Sequence, residues 1–241
     1  MPVFAAEKPL IAAASSLNGV IESITQAFNL HTNHQVRVSF GASGNLTRQI
    51  LQGAPYDLFL SADKSYVVIL QDKGLTDGSG EIYASGRLAL FVPNDSTLQS
   101  NPTLTELPTA LEDGHLQRLA IANPEHAPYG RAAREALRHL GLWQTIQGKL
   151  LMGENVAQAA QFTTSGADAG IVSHSVALEL ANSGQGTYVL LPESWHRPLR
   201  HYMVLLDPAG EVSRAFYDYL KQPEAQLVFR KFGFSTPTAS Q

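Results

Sequence analysis

Residues 40–50 read FGASGNLTRQI, with Ser43 set among small residues where an apolar run gives way to a helical one. Two chemistries want a serine there. One is a nucleophile on a sharp strand-to-helix turn, as in hydrolases. The other is an anion cradle, in which free backbone N–H groups and a hydroxyl face bound negative charge. A nucleophile elbow asks for G-x-S-x-G, but Gly41-Ala42-Ser43-Gly44 is followed by Asn45, and His196 and His201 have no evident acidic partner. A serine hydrolase with Ser43 as nucleophile is therefore the weaker reading.

Three further segments share the pattern of the first: AAASSLNG around Ser15, NPEHAPYGRAA around Tyr129, and MGENVAQAA around Val156. Each places Ser, Gly, Pro or Asn where a helix begins. A helix start exposes unpaired N–H groups and roughly half a positive charge. None of the four turns centres on Lys or Arg, so such a site would hold an anion with neutral donors alone. Taken singly, each serine or asparagine reads as an ordinary cap; the functional reading comes from the set.

Other chemistries have less to build on. There are no cysteines, which removes disulfides and thiolate metal sites. His31 and His34 lie three apart in a polar connector without a carboxylate set, so a solvated loop is a better reading than a metal receptor. His126 reads as a hydrogen-bonded scaffold residue, Asp57 as the opening of a buried strand and Asp63 as a helix cap. No Walker loop or dinucleotide fingerprint occurs, so no cofactor is expected. With net charge −4 and no basic block, nucleic acid is not an expected partner. No run of 18 apolar residues occurs. Phe4-Ala5-Ala6-Glu7 reads equally as the end of a cleaved export signal or as an arbitrary start.

The elements that must position these residues follow from periodicity. Residues 9–14 are strand-like, and Leu17, Val20, Ile21, Ile24 and Phe28 form one helix face. Strand 36–40, helix 45–52, strand 57–62 and a helix from Asp63 to Gly74 follow. This alternation predicts a parallel, doubly wound α/β sheet with ligands at the strand C-terminal ends. A second series has strands at 87–93, 118–123, 169–173, 188–191 and 201–206, with helices at 130–140 and 154–162. Two helices close the chain, at 212–220 and 224–232, and 94–108 reads as surface connection.

AAASSLNGVIESITQAF, VRVSFGASGNLTRQILQGAPYDLFLSADKSYVVILQDKGL, ANPEHAPYGRAAREAL, GENVAQAAQF, GIVSHSVAL and FYDYLKQPEAQLVFRKFGF together resemble the ModA family, the periplasmic molybdate-binding proteins of ABC transporters. The resemblance runs from about Pro9 to Phe234. It implies a two-lobed periplasmic-binding-protein fold of type II, each lobe a mixed, mainly parallel sheet flanked by helices, with an oxyanion clamped between lobes. Lobe I would be 1–84 plus 202–241, and lobe II 85–201. Molybdate or tungstate would be the ligand, and molybdenum or tungsten would enter only as the oxyanion. The partner would be an ABC transporter permease, the place the periplasm with the signal removed, the state a monomer, and catalysis absent. A receptor for another oxyanion such as sulfate is the alternative.

The family's ligand shell carries over by position. Ser15 and Ser43 would each donate a hydroxyl and a backbone N–H, and Tyr129 and Val156 a backbone N–H. Many members carry a tyrosine where this chain has Ser173, which is too short to span the same gap. The Tyr129 phenol, or a water beside Ser173, would supply the missing donor.

Overall fold

The computed structural model describes residues 8–98 and 104–237. The signal-like residues 4–7 and part of the 94–108 connection lie outside them. In chain order the strands and helices are β1 (Leu10–Ala14), α1 (Asn18–Thr32), β2 (Arg37–Gly41), α2 (Ser43–Leu51), β3 (Leu58–Ser61), α3 (Lys64–Gln71), β4 (Thr76–Gly86) and β5 (Leu88–Pro93). There follow α4 (Leu107–Glu112), β6 (Leu119–Ala122), α5 (Pro128–His139), β7 (Leu150–Gly153), α6 (Val156–Thr164), β8 (Ala169–Ser173) and α7 (His174–Asn182). The last four are β9 (Gly186–Leu190), β10 (Leu199–Leu206), α8 (Glu211–Tyr219) and α9 (Pro223–Lys231).

The described residues divide into two compact units. The first holds 8–84, 201–231 and 236–237; the second holds 85–98, 104–200 and 232–235. The whole tail was expected in the first unit, but 232–235 pack in the second. There Ser85 and Ser235 exchange backbone hydrogen bonds of 2.7 and 3.0 Å, and His174 Nδ1 lies 3.1 Å from the Gly233 carbonyl oxygen.

The first unit's sheet runs β2-β1-β3-β10-β4. β1 pairs in parallel with β2 and with β3, as the alternating pattern requires, while β10 is antiparallel to β3. β10 enters without a crossover helix on this sheet, so nothing constrains it to run parallel. Ala12, Phe59 and Val204 on the strands pack with Leu46 and Ile50 of α2 and Val67 and Leu70 of α3. On α1, the face read from the sequence is buried at Val20, Ile21, Ile24 and Phe28, and Phe28 meets Phe216 edge-on at 5.1 Å. Asp57 anchors the start of β1 by accepting from the Leu10 N–H at 2.9 Å, and Asp63 caps α3 by accepting from the Ser65 N–H at 2.7 Å.

The second sheet runs β7-β6-β8-β5-β9. β6 is parallel to β7 and β8, whereas β5 is antiparallel to β8 and β9. Each sheet is thus mixed, as the resemblance implied, and the parallel order read from the first alternation holds for β1, β2 and β3. β5, β6 and β8 are buried along their whole length. Helix α5 seats against the end of β6 because Gly130 has no side chain: a Cβ there would lie 2.2 Å from the Ala122 carbonyl oxygen. Gly153 does the same for α6, where a Cβ would meet the Ala159 nitrogen at 2.6 Å.

Two outcomes follow. Helix propensity alone would make Gly130→Ala stabilising by up to ~1 kcal/mol, but the clash is with backbone that cannot swing aside. Net destabilisation of roughly 1–3 kcal/mol is expected from such overpacking, read as a lower urea midpoint. The second outcome concerns His201, fully buried and edge-on to Tyr83. Burial pushes its pKa down to about 3, against a smaller upward pull from Asp63. The unfolded chain, titrating near pH 6.5, then binds the extra proton across that window. Stability present above about pH 6.5 is lost as pH falls towards 3, at up to ~1.4 kcal/mol per unit. His174, also depressed by burial, adds to the slope. Urea midpoints measured from pH 7 to 4 should fall less steeply in His201→Asn than in the wild type.

Candidate functional site

In the first unit, β1 and β2 are adjacent and parallel, and their last residues, Ala14 and Gly41, are register partners. The chain leaves both strands at the same level. After Ala14 it enters a 3-10 turn, Ser15–Leu17, that leads into α1; after Gly41 one residue intervenes before α2 begins at Ser43. Ser15 and Ser43 are therefore first helical residues rather than caps. The capping positions belong to Ala14 and Ala42, which have no side-chain oxygen to offer, and neither helix start has a side-chain cap. In α2 the first helical acceptor, the Ala42 carbonyl, bonds the Leu46 N–H at 3.0 Å. The N–H groups of Ser43, Gly44 and Asn45 precede it and have no carbonyl within the helix.

The hydroxyl of Ser43 is fully buried, and its oxygen accepts from the Ala62 N–H at 3.0 Å. Accepting there leaves the hydroxyl proton to be donated elsewhere. The partner is a backbone donor, the opposite of the base a nucleophilic serine needs. Thr47 donates to the Ser43 carbonyl at 2.8 Å and fixes the first turn.

The second unit repeats the plan. β6 and β7 are adjacent and parallel, with Ala122 and Gly153 as register partners. From Ala122 the chain makes the NPEHA turn and starts α5; from Gly153 it passes Glu154 and Asn155 and starts α6. Pro128 opens α5, Ala127 occupies the cap position without a side-chain bond, and the Arg131 N–H is the first to bond back, to the Ala127 carbonyl at 3.0 Å. Proline has no N–H, so Tyr129 supplies the first donor of this helix, followed by Gly130. At α6 the cap is Asn155, whose Oδ1 accepts from Ala157 at 3.0 Å and Gln158 at 3.1 Å. These are the second and third helical N–H groups. The first, on Val156, is left over.

Ser173 behaves differently. Its hydroxyl is fully buried, caps α7 by accepting from the Val176 N–H at 3.5 Å, and lies 3.0 Å from the Ser175 hydroxyl. Tyr129 is buried at 2% exposure. Among the other sequence candidates, His31 Nδ1 lies 3.0 Å from the Tyr219 hydroxyl and His196 Nδ1 2.8 Å from the Arg197 carbonyl. No group of three or more His, Asp or Glu able to hold a metal gathers among the described residues. His126 is scaffold, as read: its Nε2 lies 3.0 Å from the Glu154 carbonyl oxygen and 3.1 Å from Glu154 Oε2.

Asn155, read as an ordinary cap, is one, and by covering the second and third N–H groups it decides which N–H of α6 stays open. Sequence reasoning overlooked two further contributors. Gly130 sets the seat of α5, which no local pattern announces. The Ala62 N–H orients the Ser43 hydroxyl from 19 residues away, which no spacing rule would find.

Comparison with known proteins identifies the fold and the family. The family model for bacterial extracellular solute-binding proteins matches residues 9–235. The molybdate-binding protein ModA of Rhodobacter capsulatus is 34% identical over 236 residues, 96% of this chain and 90% of that protein. ModA of Escherichia coli (strain K12) is 34% identical over 233 residues, 95% and 89% of the respective chains. The solved structure of the Azotobacter vinelandii periplasmic molybdate-binding protein superposes with a TM-score of 0.85 at 29% identity, covering 96% of this chain and all of that one. A solved fold with the same two mixed sheets, a family model spanning nearly the whole chain and relatives a third identical lead to one conclusion: the chain belongs to the ModA family of bacterial extracellular solute-binding proteins.

Proposed function

We propose that this protein captures molybdate, and tungstate as well, outside the cytoplasm and delivers it to an ABC transporter. The observation that carries the reading is the set of helix starts, two in each unit, each following a strand end and each offering neutral donors: three have no side-chain cap, and at the fourth the Asn155 cap reaches only the second and third N–H groups. Ser15 and Ser43 would each contribute a hydroxyl and an N–H, and Tyr129 and Val156 an N–H each. The names of the relatives, molybdate-binding in both curated cases and in the solved structure, supply the ligand. Work in the periplasm as a monomer belongs to the same proposal.

Donor-only chemistry accounts for the choice of ion. A fully deprotonated tetrahedral dianion accepts at every oxygen. Hydrogen phosphate would bury an O–H facing other donors, and an unsatisfied buried polar group costs about 1–3 kcal/mol. Sulfate is not excluded by charge, so discrimination against it must come from size, through rigid helix starts. Ser173 is already engaged by Val176 and Ser175. We assign the donor that other members draw from a tyrosine at this place to the Tyr129 phenol.

Isothermal titration with molybdate, tungstate, sulfate and phosphate checks the reading. Tight binding of the first two, much weaker sulfate and no phosphate are expected; no response to molybdate or tungstate would refute it. A hydrogen bond to a charged group is worth about 1.5–3 kcal/mol, so Ser43→Ala and Ser15→Ala should each weaken molybdate roughly 10- to 150-fold. Tyr129→Phe should lose about tenfold or more, and wild-type affinity in that variant would remove the phenol from the site.

A further inference from the structure

The two donor turns of the second unit are not independent. At their roots the Asn123 N–H donates to the Gly153 carbonyl at 2.7 Å, which continues the pairing of β6 with β7. Nearer the helix starts a second link crosses between them. His126 stands three residues before Tyr129, and its Nε2 reaches both the carbonyl oxygen, at 3.0 Å, and Oε2, at 3.1 Å, of Glu154, two residues before Val156. The His126 side chain is 15% exposed, whereas the Glu154 carboxylate is 65% exposed. Solvent-exposed ion pairs contribute little, so the bond to the carbonyl, an acceptor fixed in the backbone of the turn, is the effective part of the link.

The surrounding bonds hold each end of this link in place. The His126 and Ala127 N–H groups both bond the Asn123 carbonyl, at 3.4 and 3.0 Å, and the Glu125 N–H bonds Asn123 Oδ1 at 3.0 Å. The exposed Glu125 carboxylate pairs with Arg134 of α5 at 2.9 Å, a surface contact that is not part of the link. On the other side the Glu154 N–H donates to Gln158 Oε1 at 2.6 Å, which ties that residue to the first turn of α6. The imidazole thus joins two turns that are each held by bonds of their own.

We propose that His126 is a positioning residue that fixes the spacing of the Tyr129 and Val156 N–H donors, and through it the discrimination between large and small tetrahedral oxyanions. The proposal rests on the oxyanion reading above. A gap held at one width favours the ion that fills it. Released, the turns remain joined at their roots but can adapt to a smaller ion, so the larger ion loses more than the smaller one.

The test is titration of the full chain with molybdate and with sulfate for wild type, His126→Ala, His126→Gln and Glu125→Gln, with melting temperatures measured alongside. Gln places an amide N–H close to where Nε2 stands. His126→Ala should weaken molybdate at least tenfold and sulfate less than threefold, so that the affinity ratio collapses while the protein still melts cooperatively. His126→Gln should recover the ratio to within about threefold, and Glu125→Gln, which removes only the surface pair with Arg134, should leave it unchanged. An unmoved ratio in His126→Ala, an equal loss for both ions, or failure of His126→Gln to rescue would overturn the assignment while leaving the oxyanion reading intact. A wild type that binds neither molybdate nor tungstate would overturn both.

Discussion

The first N–H groups of a helix have no acceptor within it, and a protein ordinarily satisfies them with a side-chain cap worth about 1 kcal/mol. This chain applies that rule selectively. Asp63 caps α3 and Ser173 caps α7. The turns at Ser15, Ser43 and Tyr129 have alanine at the cap position, and Asn155 at α6 covers the second and third N–H groups but not the first. The forgone caps leave fixed dipoles that need acceptors from elsewhere. An anion of suitable shape provides them without the donors having to reorganise.

Strand register makes these donors usable. In each unit two donor turns leave neighbouring parallel strands at paired residues, Ala14 with Gly41 and Ala122 with Gly153. Parallel pairing with a register match ends the two strands side by side at one height, which a hairpin or an offset register would not do. Gly130 and Gly153 then let α5 and α6 come down onto the strand ends without a Cβ in between. The same geometry gives His126 something to reach across to.

The charges are arranged to stay out of this chemistry. The net charge is −4, which on long-range grounds disfavours a dianion. At physiological salt such fields fade over about 8 Å, so the nearest dipoles decide. Several guanidinium groups are already matched with carboxylates: Arg87 with Glu193, Arg134 with Glu125, Arg197 with Glu135 and Arg214 with Asp77. Arg197 and Arg131 hold the Glu135 carboxyl below its ordinary range despite its partial burial. Cations committed in this way do not compete for an oxyanion, and recognition falls to uncharged donors, which are sensitive to whether the ligand carries a proton.

The sequence by itself determined the periodic elements and the chemistry of the turns between them. The α1 face, the Asp63 cap and the small-residue segments around Ser15, Ser43, Tyr129 and Val156 are local patterns, and local patterns are written in neighbouring residues. It did not disclose β4, whose first half is rich in Asp, Ser and Gly, nor the short β7, nor α7, because strands and helices of that composition are decided by what they pair with and pack on. Nor could it show that Ser173 is committed to a cap, that Ala62 aims the Ser43 hydroxyl, or that residues 232–235 belong with the second unit. The first is a local choice of side-chain rotamer at Ser173; the other two depend on contacts between residues far apart in the chain, and only the folded structure sets which distant N–H, carbonyl or imidazole arrives within about 3 Å.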